Sequence, residues 1–117
     1  MEIYNTLTHT KEPLPVTSKR KPLRFFTCGP TVYDYPHIGN TRTSIVFDTL
    51  VRFLRAQKIS VIYLQNITDI DDKIIARAQE EKTTISAIAN RYTRIFKKNM
   101  REARVVSVNT YAPATKY

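Results

Sequence analysis

Thirteen consecutive residues, Cys28-Gly29-Pro30-Thr31-Val32-Tyr33-Asp34-Tyr35-Pro36-His37-Ile38-Gly39-Asn40, concentrate the groups in this chain that can do chemistry. A thiol comes first, then a glycine, an extended loop and a His-x-Gly-Asn turn that runs into a helical pattern. That order suits the binding of a nucleotide phosphate, because the free N–H groups and positive dipole end of a helix favour an anion. His37 can donate a hydrogen bond to a phosphate oxygen as charge builds in an in-line displacement. Gly39 allows the backbone to approach a ligand closely. Asn40 can donate a neutral hydrogen bond to phosphate or cap the helix, and both roles are open. Cys28, taken by itself, reads as a small buried hydrophobe at a strand end.

The elements that must position these groups follow from periodicity. Leu23-Arg24-Phe25-Phe26-Thr27 reads as a mostly apolar strand feeding the loop, and a helix is expected from Thr41 to about Arg55, with its apolar stripe through 46, 50, 53 and 54. Val61-Ile62-Tyr63-Leu64 has the composition of a parallel strand buried on both faces. Strand, helix and strand make one βαβ unit, right-handed by default, with a ligand crevice beyond the carboxyl ends of its strands.

A second helix is expected from Ile70 to about Gln79. The acids Asp69, Asp71 and Asp72 at its start suit a positive helix end, or alternatively a magnesium ion. After a break from Glu80 to Thr83, Thr84 can cap a third helix, with Ile85, Ile88, Ala89, Tyr92, Ile95, Phe96 and Met100 at spacings of three and four. It ends near Val105 and leads to a closing loop. Near the amino end, Thr8 to Pro15 reads as irregular, since two prolines exclude a helix interior. The expected fold class is α/β, a Rossmann-like parallel sheet with flanking helices, in one domain over 1–117.

Composition bounds the partners. The chain has 117 residues, 42% hydrophobic and 25% charged, which is ordinary for a globular domain. No apolar run approaches a membrane span and no secretory signal is present at the amino end, so the expected compartment is the cytoplasm, with no membrane partner. One cysteine rules out an internal disulfide. Nineteen Lys and Arg against ten Asp and Glu give +9, a surplus that attracts phosphate polyanions. The cations are spread along the chain, but Arg91, Arg94, Lys97, Lys98, Arg101 and Arg104 fall on or beside the third helix, as an RNA-facing or merely solvated face.

Several strings together resemble the amino-terminal part of cysteinyl-tRNA synthetases, a class I aminoacyl-tRNA synthetase family. They are Tyr4-Asn5-Thr6-Leu7, Cys28 to Asp34, the box His37-Ile38-Gly39-Asn40, Asn66-Ile67-Thr68-Asp69-Ile70-Asp71-Asp72-Lys73-Ile74, and Pro113-Ala114-Thr115-Lys116-Tyr117. The likeness covers essentially the whole chain. Its box ends in Asn40 where the family usually has histidine.

The resemblance implies the first part of a class I catalytic domain, incomplete, in which ATP lies over His37 to Asn40 and Thr31. His37 and Asn40 are then the catalytic positions, and Thr31, His37, Gly39 and Asn40 hold the nucleotide. Gly29 and Thr68 hold the amino acid, although Thr68 also reads simply as a residue turning strand into helix. Cys28 is one ligand of a zinc whose other protein ligands come from downstream, and magnesium accompanies ATP. The implied reaction converts cysteine and ATP to cysteinyl adenylate and then transfers cysteine to tRNA(Cys).

The same resemblance implies an amino-terminal piece of a longer enzyme. The remaining catalytic fold, a KMSKS-type loop and an anticodon-binding part are absent from these 117 residues, so the piece is expected to be inactive or nearly so, and to bind zinc weakly or not at all. Two alternatives stand beside it: the cysteine ligase of mycothiol synthesis, built on the same domain, and a non-catalytic remnant or RNA-binding fragment. A generic nucleotidyltransferase explains neither Cys28 nor Asn66 to Lys73.

Overall fold

The computed structural model describes residues 1–15 and 17–116. Tyr117, the last residue of the family-like string at the carboxyl end, lies outside the described residues. The elements in chain order are β1 (Glu2–Asn5), β2 (Thr10–Pro13), β3 (Leu23–Thr27), α1 (Ile38–Ala56), β4 (Val61–Ile67), α2 (Asp72–Glu80), α3 (Ile85–Glu102), β5 (Thr110–Pro113) and a short 3₁₀ turn over Ala114–Lys116.

A three-stranded parallel sheet ordered β3-β4-β5 carries the fold. Strand β3 is where the sequence predicts it. Strand β4 is longer than predicted, and it is buried on one face only. Val61, Tyr63, Gln65 and Ile67 face inward, while Ile62 is 49% exposed and its neighbour Phe26 is 59% exposed. The reason is that the helices of both crossovers pack on the same side. Val51 and Leu54 of α1 meet Val61 and Tyr63, and Ile74 of α2 and Ile88, Tyr92 and Phe96 of α3 cluster with Ile67.

Three further expectations are corrected. The segment Thr8 to Pro15 is not irregular throughout, because Thr10–Pro13 pairs antiparallel with Glu2–Asn5, and Pro13 sits at the end of this two-stranded ribbon, where its missing N–H is tolerated. The closing loop contains a strand, β5, whose residues pair with Leu64 to Ile67. Four residues ending in proline carry too little pattern to announce themselves. The second helix starts at Asp72 instead of Ile70, because Asp71 is in extended conformation and its side chain accepts from Lys73 N–H, so it is the cap.

The predicted stripe of α1 holds at Leu54, which is buried, and at Leu50, which packs against the same cluster, but not at Val46 and Phe53. Its buried residues are Ser44, Asp48, Val51 and Leu54, while Val46 and Phe53 are exposed. Asp48 is drawn inward because one of its carboxylate oxygens accepts from Val106 N–H at 2.8 Å and Ser107 N–H at 2.6 Å, while Arg52 pairs with the other at 2.7 Å. Those N–H groups belong to the irregular stretch before β5, and that of the buried Ser107 would otherwise lack an acceptor. Helix α3 follows its expected pattern except at its first residue: Ile88, Ala89, Tyr92, Phe96 and Met100 are buried and Ile95 is partly so, while Ile85 is exposed, and the Thr84 hydroxyl caps the helix through Ala87 N–H at 3.1 Å.

Candidate functional site

The carboxyl ends of β3 and β4 continue side by side beyond the strands. Val32 N–H donates to the Thr68 carbonyl at 3.1 Å and Thr68 N–H to the Pro30 carbonyl at 3.0 Å, forming an isolated parallel bridge between Thr31 and Thr68. Two positions nearly forty residues apart in sequence are thus brought together. Gly29 is required by this approach: a Cβ there would lie 1.7 Å from the Asn66 carbonyl oxygen, and Gly29 N–H donates to Asn66 Oδ1 at 2.6 Å. Its visible task is close packing of the two strand ends.

The loop then delivers His37 to the start of α1. The helix begins at Ile38, three residues before the expected Thr41, and its cap is His37 instead of Asn40. Gly39 N–H donates to His37 Nδ1 at 3.0 Å, while the N–H groups of Asn40 and Thr41 donate to the His37 carbonyl at 3.0 and 3.4 Å. A ring nitrogen that accepts cannot carry the proton, so in the neutral ring Nε2 is the donor. The imidazole folds so tightly over the turn that a Cβ on Gly39 would lie 2.7 Å from His37 Cε1. The glycine therefore makes room for the histidine ring, a reason the sequence reading does not contain.

Two cavities flank this turn. The larger, about 220 Å³, is lined by Thr31, the loop from Tyr33 to His37, Asn40, Lys73 and the α3 residues Tyr92 and Phe96. The smaller, about 90 Å³, is lined by Cys28, Gly29, Thr43, Ser44 and Gln65. Pro30, Asn40 and Phe96 border both. Asn40 is thus the polar side chain that the two cavities share.

The fold brings Thr31, His37, Gly39 and Asn40 to one helix end, with Cys28 and Gly29 just behind. Thr68 is bonded to that loop through its backbone, but its side chain borders neither cavity. Cys28 is exposed, which removes its reading as a buried hydrophobe.

Lys73 is a lining residue the sequence reading does not single out, although it stands within the Asn66 to Ile74 string. Its ammonium lies 5.3 Å from the centre of the Tyr33 ring, placing a positive charge at the larger cavity. Across the cavity wall Asp34 is 3.7 Å from Arg77. The Arg77 guanidinium is held charged first by its hydrogen bond with the Tyr92 hydroxyl, at 3.4 Å, and then by its neighbouring carboxylates. Tyr35 stacks edge-on against Tyr92, with ring centres 5.7 Å apart. In the smaller cavity Gln65 is buried, its Nε2 donating to the Cys28 carbonyl at 3.4 Å and its Oε1 without a partner among the described residues.

The three acids at the start of α2 are accounted for without a metal. Asp71 caps the helix, Asp72 occupies its first turn, and Asp69 accepts from the backbone N–H and hydroxyl of Thr115 at 3.0 and 2.6 Å. A tetrahedral zinc site needs about four donors. Among the described residues no group of three or more His, Cys, Asp or Glu gathers in one place, so Cys28 offers one thiol and these residues by themselves do not fit a zinc ion. No helix among them is long and apolar enough to cross a membrane.

Residues 15–117 match a family model described as tRNA synthetases class I (C) catalytic domain. Relatives named Cysteine--tRNA ligase include one from Gloeobacter violaceus, 44% identical over 98% of this chain and 24% of its own length. Another, from Thermoplasma volcanium, is 47% identical over all of this chain and 26% of its own length. The chain therefore spans about a quarter of the length of the curated relatives it matches. A solved structure of Mycobacterium tuberculosis methionyl-tRNA synthetase bound by methionyl-adenylate is similar at a TM-score of 0.74 and 25% identity, over 81% of this chain and 19% of that one.

Proposed function

Because this chain belongs to the class I (C) tRNA synthetase catalytic-domain family, we propose that residues 1–117 form the amino-terminal, nucleotide- and cysteine-binding part of a cysteine--tRNA ligase acting in the cytoplasm. The observation that carries the reading is the His37 cap, which leaves Nε2–H free at the positive end of α1 beside a cavity bordered by Thr31, Asn40 and Lys73.

The chemistry follows from that geometry. A cysteine carboxylate oxygen attacks the α-phosphorus of ATP, the bond to the bridging oxygen breaks, and pyrophosphate leaves with the electron pair. His37 Nε2–H and the Asn40 amide stabilise the charge that builds on phosphate oxygens, Lys73 adds positive potential, and no side chain becomes covalently attached. In the second step a ribose hydroxyl of the terminal adenosine of tRNA(Cys) attacks the activated carbonyl and AMP departs. Magnesium accompanies ATP as its counter-ion. Cys28 and Gly29 lie where the amino acid would sit, and Thr68 supports that wall through its bridge to Thr31. If zinc participates, Cys28 is its ligand in this segment, and the further donors must come from outside the described residues.

Calorimetric titration with a non-hydrolysable cysteinyl-sulfamoyl adenosine tests the reading without requiring turnover. The cysteinyl compound is expected to bind the chain, and His37→Ala is expected to weaken it about tenfold, the loss of one charge-assisted hydrogen bond. Absence of binding, or equal affinity for the His37→Ala chain, overturns the assignment.

A further inference from the structure

Helix α3 has two working faces, and the function above uses only one. Its inner side supplies Tyr92 and Phe96 to the larger cavity. On its outer side Arg91, Arg94, Lys98 and Arg101 are all exposed, at successive spacings of three, four and three. At about 100° per residue these four positions fall within a band roughly 80° wide and about 15 Å long. A row of like charges on one helix face is self-repelling unless something of opposite sign lies along it.

The neighbouring acids neutralise only part of the row. Arg91 pairs with Glu81 at 2.6 Å, and Lys98 stands 3.8 Å from Glu102. Arg94 and Arg101 have no ion pair among the described residues; the Arg94 Nε–H turns back to the Asn90 carbonyl at 3.3 Å. Arg104, exposed just past the helix end, adds a further cation near its carboxyl end. Arginine's planar fork suits phosphate, and a linear series of cations matches a linear series of phosphates better than any small anion.

We propose that the outer face of α3 is a docking track for the phosphodiester backbone of an RNA, with Arg94, Lys98 and Arg101 as its principal contacts. This rests on the reading of the chain as a tRNA-aminoacylating piece and adds the surface that reading lacks. Because the opposite side of the same helix walls the larger cavity, an RNA lying along the track is held within one helix diameter of the site.

The test is fluorescence anisotropy with a labelled tRNA(Cys) transcript, from roughly 50 to 200 mM salt. Three proteins are compared: the chain itself, the triple variant Arg94→Gln, Lys98→Gln and Arg101→Gln, and a control triple Lys19→Gln, Arg20→Gln and Lys21→Gln. Both triples remove three exposed charges, so net charge is matched. Glutamine keeps helix propensity, and far-ultraviolet circular dichroism checks that α3 persists. Should the α3 triple unfold, the double variant Arg94→Lys and Arg101→Lys takes its place, with retained binding and a smaller loss expected.

The α3 triple is expected to weaken RNA binding about tenfold and to reduce the salt slope by about 2, while the control triple moves both much less. Equal effects of the two triples, no RNA binding by the unaltered chain, or binding of polyglutamate with the same α3 dependence would each overturn the track. Binding of the cysteinyl-sulfamoyl compound, measured on the same proteins, separates the two proposals. If that compound fails to bind while RNA binding still depends on α3, the ligase reading falls and the track stands.

Discussion

Helices α1 and α3 have nearly the same length, 19 and 18 residues, and pack on the same face of the sheet, yet α3 buries an apolar face and α1 a mixed one. Helix α3 turns Ile88, Ala89, Tyr92, Phe96 and Met100 inward and keeps its charges outside. Helix α1 turns Ser44 and Asp48 inward along with Val51 and Leu54, and leaves Ile45, Val46 and Phe53 exposed. The difference lies in what each helix faces. Among the neighbours of α3 are the apolar residues Ile67, Ile74 and Val105, which need only area and shape. Helix α1 also faces the backbone of Val106 and Ser107, whose N–H groups need an acceptor. A buried carboxylate held by two N–H donors and an arginine meets that need better than any aliphatic side chain.

This comparison can be broken by three substitutions measured in urea. Phe96→Ala, deleting a fully buried ring from the α3 cluster, is expected to cost about 3–5 kcal/mol; a loss below 1 kcal/mol would mean that α3 is not the principal apolar anchor. Asp48→Ala removes the shared acceptor and is expected to cost about 3 kcal/mol. If the denaturation midpoint hardly moves, the polar face of α1 is incidental. Val46→Ser, at 56% exposure, is expected to shift stability by less than about 0.5 kcal/mol. A large loss there would restore the stripe the sequence suggests and reverse the comparison.

The legibility of each region follows the same division. Strand β3, the Thr84 cap and the buried face of α3 could be read because each is a local pattern acting on its own backbone. The inward turn of Asp48 on α1 could not, since its partners lie 58 and 59 residues away in sequence. Strand β5 exists through its pairing with β4, and its short, proline-ended string has no pattern of its own. At the site, the order of Cys28, Gly29, His37, Gly39 and Asn40 is apparent in the sequence. The identity of the helix cap is not, because histidine is a less usual cap than asparagine and the choice turned on how one imidazole folds over Gly39.

By itself the sequence determined the alternation of strand and helix, the apolar face of α3, the excess of positive charge and the family-like strings, all of which depend on residue type and short spacing. Only the tertiary structure decided that Thr31 meets Thr68, that Lys73 reaches the cavity of His37, that Asn40 borders two cavities, and that one face of the sheet is left exposed at Phe26 and Ile62. Those outcomes depend on where two distant backbone segments cross, and crossing is governed by steric fit, such as the bare Cα of Gly29 against the Asn66 carbonyl, and by the pairing of backbone groups that have no sequence signature.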